Sequence, residues 1–418
     1  MVPMQLQLSN YGQHYCGHSG IINLMEDLGS ALLANPAMLM MAGGTPARIA
    51  EAEQLYQSTL ARILTDAEQT HQLLGRYQGP RGDLHVRELL AQQLNTTYGW
   101  PVTAAHIAIS NGGQSAFGIL ANMLAGPGSG GERSIHLPLV PEYLGYADIG
   151  ISKQFFTASR PSIELLPDRF FKYRLDRDAG IPGSAAALCI SRPTNPSGNV
   201  LSDAEVSALD VQARAKQIPL IIDAAYGLPF PALHHNPDTH AYWSDNVILL
   251  LSLSKVGLPG VRSGFVVAHP ELIEAFSRAN TILNLASGNL GPMLSAVLLR
   301  EGKLLTLSRE VLQPWYQAKA QRAVQLLQDA LGDMHYYMHK PEGAFFLWLW
   351  LPELGIGCQA LYGRLREAGL LIIPGCASFI GLPEHWEHSR QCIRLSFAVS
   401  DDTLVKGATI LGKVLRTL

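Results

Sequence analysis

Charge is scarce in this chain. Of its 418 residues only 16% are Asp, Glu, Lys or Arg, well under the quarter usual for globular proteins. The two signs nearly cancel, to a net charge of −3. No run of Lys or Arg stands out, and the aromatic residues do not interleave with basic ones. Both observations argue against a nucleic-acid partner or an anionic membrane surface. Long hydrophobic runs are missing as well. The longest, such as Phe345 to Leu351, fall far short of the ~20 residues that a spanning helix needs. The stretch from Met1 to Asn10 has neither a basic region nor a long apolar run, so no secretory signal is expected and the cytoplasm is the expected compartment. Cysteine is sparse: Cys16, Cys189, Cys358, Cys376 and Cys392 are odd in number and scattered, with no C-x-x-C. That usage predicts reduced thiols and neither a disulfide framework nor a zinc site.

What is present is apolar: 47% of the residues, enough for a large core and for a subunit interface, so a homo-oligomer is expected. The length suits two domains, or a large one with a smaller one appended. Short apolar runs alternate with amphipathic stretches through the middle of the chain. Ile107-Ala108-Ile109 reads as a strand, and Ser115 to Leu124 as a helix with apolar residues at 116, 117, 119, 120, 123 and 124. Ala187 to Ile190 reads as a buried strand, Asp203 to Lys216 as a helix capped by Ser202. Leu220 to Ile222, Val247 to Leu251 and Phe265 to Ala268 read as further strands. Continuous apolar strands separated by helices predict an α/β fold with a mostly parallel sheet covered on both faces. Residues 272–331 read as helical, interrupted at Pro292 and Pro314. From Ala344 the pattern becomes strand, helix (Gln359 to Glu367), strand (Leu370 to Ile373), strand (Ile393 to Ala398) and helix, a smaller α+β domain. The division expected is a segment 1–45 packing on the small domain, a large domain 46–310 and a small domain 311–418.

In open α/β sheets ligands bind at the carboxyl ends of the strands, and four predicted strands end in a polar or Gly-rich signature. They are Ser110-Asn111-Gly112-Gly113-Gln114, Arg192-Pro193-Thr194-Asn195-Pro196, Asp223-Ala224-Ala225-Tyr226 and Ser252-Leu253-Ser254-Lys255. Each alone reads as an ordinary turn, cap or solvated loop; four on one rim have a joint chemical meaning. A lysine amine forms a Schiff base with a carbonyl cofactor. Pyridoxal phosphate needs an acid on its ring nitrogen, a role for Asp223. Asn195 and Tyr226 supply donors for its phenolic oxygen. Gly112, Gly113 and Gln114, opening a helix, offer N–H groups to its phosphate, and Ser252, Ser254 and Arg262 add hydroxyl and charge-assisted contacts.

These residues, with His18-Ser19-Gly20-Ile21 and Leu24 to Leu28, Ser191 to Asn199 (SRPTNPSGN), Ala225-Tyr226-Gly227 with Pro229-Phe230-Pro231, Ser252 to Arg262 (SLSKVGLPGVR) and Lys340 to Trp350 (KPEGAFFLWLW), resemble the fold-type I aminotransferases. The likeness runs over nearly the whole chain and is closer to the bacterial valine–pyruvate aminotransferases. It implies a large domain with a mostly parallel seven-stranded sheet between helices, plus a smaller α+β domain. It implies pyridoxal 5'-phosphate as cofactor, with amino acids and 2-oxo acids as substrates. Lys255 becomes the Schiff-base lysine and the acid/base that moves the substrate proton, with Asp223 and Tyr226 as its catalytic company. Tyr143 stacks on the ring. Gly112, Gly113, Gln114, Ser252, Ser254 and Arg262 hold the phosphate, and Tyr77 reaches the phosphate of a neighbouring subunit in a homodimer. Arg394 grips the substrate carboxylate bidentately, with Asn195 and Gly44 beside it. The reaction implied is L-valine plus pyruvate to 3-methyl-2-oxobutanoate plus L-alanine, in two half-reactions. The alternatives are transamination of another amino acid, a lyase, racemase or oxidase on the same cofactor, and the ligand-sensing domain of a regulator. The chain departs from the family pattern at Gly113, Ala224, Ser197 and the Cys376 to Phe379 loop.

Three further signals point elsewhere. Gly126 to Gly131 matches G-x-G-x-x-G but follows a helix, whereas a dinucleotide fingerprint follows a strand; it is expected to be a flexible loop. His385 and His388, flanked by Glu384 and Glu387, have no evident third ligand, and they and His234-His235 are expected to be loop residues with no metal.

Overall fold

The computed structural model describes residues 6–17, 19–152, 154–176, 178–383 and 385–418. A seven-stranded sheet runs in the order Ile107–Ser110, Gly264–Val267, Val247–Ser252, Leu220–Asp223, Ala185–Ser191, Gly131–Leu137, Phe156–Ala158. All are parallel except Gly264–Val267, which is antiparallel to both neighbours. An eighth short strand, Gly126–Gly128, turns back on the start of Gly131–Leu137, so the Gly-rich segment is a hairpin rather than a free loop.

The central strands are buried along nearly their whole length because both faces are covered. Side chains alternate across a strand: Leu220 and Ile222 join one apolar layer and Ile221 the other, as do Val247, Leu249 and Leu251 against Ile248 and Leu250. Each fully buried Leu or Ile contributes about 1.5–3 kcal/mol, so the two layers fix the sheet and, with it, the rim on which the polar strand ends stand. Helix Asp203–Ala215 begins where expected, with Ser202 and Glu205 exchanging hydrogen bonds in a capping box.

A second sheet runs Ile373–Pro374, Cys392–Ser396, Phe346–Trp350, Tyr337–His339, Phe170–Arg174, Ser162–Leu165. Its last two strands come from mid-chain, from a hairpin with no clear strand pattern in the sequence. The Lys172 ammonium pairs with buried Glu342, and each binds the Val200 backbone, at 3.0 and 3.1 Å. That pair ties the hairpin to the SRPTNPSGN segment. The expected strand 370–373 is split: Leu370–Leu371 pairs in parallel with Leu39–Met40, while Ile373–Pro374 pairs with Cys392–Ser396.

Of the two prolines expected to interrupt the helical stretch, Pro292 follows a break at 285–289 and Pro314 does not interrupt it. Pro292 lies in the first turn of Leu290–Arg300, where its missing N–H costs nothing. Pro314 lies in a rod that stays helical from Lys303 to Leu331. The turn before it, Leu307–Leu312, is widened to a π-helix, which accommodates the ring and the lost donor. No helix among the described residues is long and apolar enough to cross a membrane.

Ser202→Ala removes one partner of the capping box. The expected outcome is a loss of about 1 kcal/mol in unfolding free energy, read from the midpoint of a urea titration.

Candidate active site

The four polar strand ends meet around one cavity of about 450 Å³. At the first, Gly112 has φ +92° and caps the helix Gly113–Leu124, which therefore starts two residues earlier than its apolar pattern indicates. A Cβ on Gly112 would lie 2.7 Å from Arg262 Nη2, and one on Gly264 only 3.2 Å from Gly113 N. Both positions need the bare backbone so that the helix start, the arginine and the antiparallel strand can close on each other. Gln114 spends its side-chain amide on the Gly145 carbonyl, at 2.9 Å. Its backbone N–H is what it offers the cavity.

At the second, Asn195 Oδ1 accepts from Arg394 Nη1 at 2.6 Å. Arg394 Nη2 donates to the Ala42 carbonyl at 2.5 Å, and the guanidinium lies 4.1 Å over the Phe346 ring. Its Nε is buried with no partner among the described residues. At the third, Asp223 Oδ1 accepts from Ala225 N at 2.8 Å and Oδ2 from the Tyr146 hydroxyl. At the fourth, Lys255 stands on a short 3-10 turn, Ser254–Val256. Its Nζ donates to the Gly44 carbonyl at 2.6 Å and lies over the Tyr226 and Phe345 rings at 5.4 and 5.7 Å.

Of the residues singled out in the sequence, Gly44, Gly113, Gln114, Tyr143, Asn195, Asp223, Tyr226, Ser252, Ser254, Lys255, Arg262 and Arg394 line this cavity. Gly112 stands behind it, against Arg262. Tyr77 is not among the lining residues and is 84% exposed. Sequence reasoning missed Tyr146, Ser191, Ile21 and Met25, which also line it. Ile21 and Met25 sit four apart on the helix Gly20–Ala34, a spacing that places them on one face and was the available signal. A wider groove beside Pro167, His235, Gln321 and Lys340 holds none of the rim residues. His388 is buried with Nε2 2.6 Å from the Tyr173 hydroxyl, and His234 Nδ1 is 2.9 Å from the Asn236 carbonyl. Glu384 lies outside the described residues. Among those described no group of His, Cys, Asp and Glu is placed to hold a metal.

Burial dominates the electrostatics. It pulls the Lys255 amine down to about 8, helped by Arg394 and Arg262 and opposed by Asp223. A sizeable fraction of that amine is therefore neutral and nucleophilic near neutral pH. Burial pushes Asp223 up, while the Tyr146 and Ala225 hydrogen bonds and Lys255 pull it back. Arg394 is lowered by burial to about 10 and stays charged at neutral pH. Glu142, buried beside Ser191, is pushed up to about 8, first by burial.

A buried reactive amine, a buried hydrogen-bonded carboxyl and a helix start with an arginine beside it belong together in one class of enzyme. The Aminotransferase class I and II family model matches residues 175–411, and the chain belongs to that family. It is 39% identical over 410 residues to the valine–pyruvate aminotransferase of Escherichia coli (strain K12), covering 98% of each. Two solved structures are similar. One is a putative amino-acid aminotransferase from Psychrobacter arcticum 273-4 (TM-score 0.96, 40% identity, 99% of each chain). The other is the valine–pyruvate aminotransferase AvtA from Salmonella typhimurium LT2 (TM-score 0.87, 38% identity, 95% of this chain and 98% of that one). The fold is the fold-type I α/β transferase, and the cofactor of the family is pyridoxal 5'-phosphate. The residues present fit it. The cavity holds a lysine amine, a buried carboxylate, an aromatic wall at Tyr143 and a cup of N–H, hydroxyl and guanidinium donors.

In cofactor-free protein, amine-reactive labelling of Lys255 followed through a pH series by peptide mass spectrometry is expected to be half-maximal near 8. Ordinary lysines follow a value of about 10.4. A Lys255 midpoint equal to theirs would show that burial does not act on it.

Proposed function

We propose that this aminotransferase moves the amino group of L-valine to pyruvate, giving 3-methyl-2-oxobutanoate and L-alanine, and that related small aliphatic amino acids also serve. The observation that carries the reading is the cation content of the cavity. Its described lining holds three cations, Lys255, Arg262 and Arg394. Lys255 is the nucleophile and Arg262 belongs to the phosphate cup, which leaves Arg394 alone for carboxylates. One carboxylate is what a neutral amino acid or pyruvate presents. Ile21 and Met25, on the same cavity wall, suit an apolar side chain. A small apolar pocket separates single methylenes by only about 1–3 kcal/mol, so discrimination among branched and straight chains is modest.

Bound pyridoxal phosphate supplies the carbonyl that captures the amino group and the ring that takes up electrons when the Cα–H bond breaks. The protein's share follows from the geometry above. The Lys255 amine would serve as the base for the substrate Cα proton and as the acid that gives it back. Asp223 holds the proton on the ring nitrogen. Asn195 gives Oδ1 to Arg394, so its amide N–H is left to donate to the phenolic oxygen beside Tyr226. Gly113, Gln114, Ser252, Ser254 and Arg262 hold the phosphate, Gly112 lets Arg262 approach, and Tyr143 covers the ring. The Gly44 carbonyl steadies the amine.

The active unit in this reading is a homodimer, with Tyr77 reaching the neighbour's phosphate. Leu74, Tyr77, Ile282, Leu283 and Leu285 are all largely exposed, an apolar set that a subunit contact covers. Asn289 Nδ2 binds the Arg76 carbonyl at 2.7 Å, and Gly288 N binds Asn111 Oδ1 at 3.2 Å, so this surface adjoins the phosphate cup. The proposed division into 1–45, 46–310 and 311–418 stands on the same footing, with hairpin 162–174 crossing to the second sheet. A cytoplasmic location is supported by the five free cysteines.

The visible absorbance of the purified enzyme is expected to bleach with L-valine and return with pyruvate, releasing alanine. A band that ignores valine would remove the substrate assignment, and product analysis separates transamination from lyase, racemase or oxidase chemistry. Arg394→Ala is expected to raise KM for both substrates on the order of 10- to 100-fold; an unchanged KM would place the carboxylate elsewhere. Leu283→Asp is expected to yield monomer on size-exclusion chromatography and to weaken cofactor retention. A dimer of undiminished stability would move the interface off this surface.

A further inference from the structure

Asp223 receives two hydrogen bonds among the described residues, one from the Ala225 N–H and one from the Tyr146 hydroxyl. Tyr146 is 1% exposed. Its ring stacks on Phe117 at 4.0 Å and meets Tyr143 edge-on at 5.4 Å, and its N–H closes a tight turn on the Tyr143 carbonyl at 2.9 Å. The ring is thus held by two aromatic neighbours and its backbone by the turn, and its hydroxyl has one partner among the described residues. A phenylalanine would pack equally well against Phe117. A buried hydroxyl is expensive unless it is bonded, and here the bond goes to the single carboxylate assigned to the cofactor ring.

A second buried carboxyl lies close by. Glu142 accepts from Ser191 N and Oγ at 2.7 and 2.6 Å, and Ser191 pairs with Asp223 across neighbouring strands. Two carboxyls in a dry site repel each other's charge. The Tyr146 donor favours charge on Asp223. The titratable groups facing this pair are Glu142, Tyr143, Cys189, Tyr226 and Lys255.

We propose that Tyr146 is a positioning residue whose hydroxyl keeps Asp223 ionised and aimed at the ring nitrogen of bound pyridoxal phosphate. The proposal rests on the reading of Asp223 as the ring-nitrogen partner. Without the hydroxyl, Oδ2 loses its only described donor, the carboxyl moves toward its protonated form, and the ring nitrogen loses an anion.

The test is a double-mutant cycle on holoenzyme, with Tyr146→Phe, Asp223→Asn and both together. Two quantities are read: the dissociation constant of pyridoxal phosphate and the pH midpoint of the visible band of the lysine-bound cofactor. Tyr146→Phe is expected to weaken cofactor binding roughly 10- to 100-fold. It is also expected to lower the band midpoint, because Asp223 favours the protonated Lys255 nitrogen. In the Asp223→Asn background the same change is expected to cost little more. Unchanged affinity and midpoint in Tyr146→Phe would overturn the proposal. So would equal losses in both backgrounds, which would mark a packing role alone. If Asp223→Asn itself altered neither quantity, the ring-nitrogen reading would fail and the Tyr146 assignment with it.

Discussion

A guanidinium buried between three stretches of chain holds the site together. Arg394 extends from the second sheet, donates to Asn195 on the rim of the first and to the Ala42 carbonyl in the N-terminal segment, and lies flat on Phe346. Removing such a charge from water costs several kcal/mol, and the cost is tolerable only because oxygen acceptors and a π face replace part of the lost hydration. The same contacts dictate where everything else stands. Asn195 is oriented by giving up its carbonyl oxygen, the N-terminal segment is drawn over the cavity, and the two sheets are joined at the point where a carboxylate has to be gripped.

Burial has opposite uses on the two sides of the cavity. For Lys255 the dry surroundings and two neighbouring arginines weaken the hold on its proton, which makes the amine reactive. For Asp223 the same dryness works against the charge that the site needs, and the Tyr146 and Ala225 hydrogen bonds and Lys255 work for it. One low-dielectric pocket thus weakens the lysine's hold on its proton and raises the carboxyl, and the partners supplied to each decide how far either shift goes.

Much of this was legible in the sequence, for a definite reason. In a parallel sheet the carboxyl ends of successive strands share one rim, so the sequence alone groups Gly112–Gln114, Asn195, Asp223 and Lys255. The strands themselves announce burial by unbroken Ile, Leu, Val and Ala. Tyr146 was not legible. It lies in a short turn outside any periodic pattern, and only the three-dimensional approach of that turn to Asp223 gives its hydroxyl a meaning. The hairpin at 162–174 was hidden because its outer strand is mostly exposed and carries no apolar alternation strong enough to read. Pro314 reads as a break because a proline's local effect is to end a helix, while the widened turn that absorbs it lies upstream.

The N-terminal crossing to the site is made almost wholly by main chain. Met41 gives its N–H to Leu371 and its carbonyl to Ser396, at 2.9 and 2.7 Å. Ala42 and Gly44 then give carbonyls to Arg394 and Lys255. Contacts of this kind read spacing and ignore side-chain identity. These bonds would survive a change of side chain, but a single inserted or deleted residue would hand each carbonyl's task to the wrong neighbour. Length, rather than composition, is the quantity on which these contacts depend.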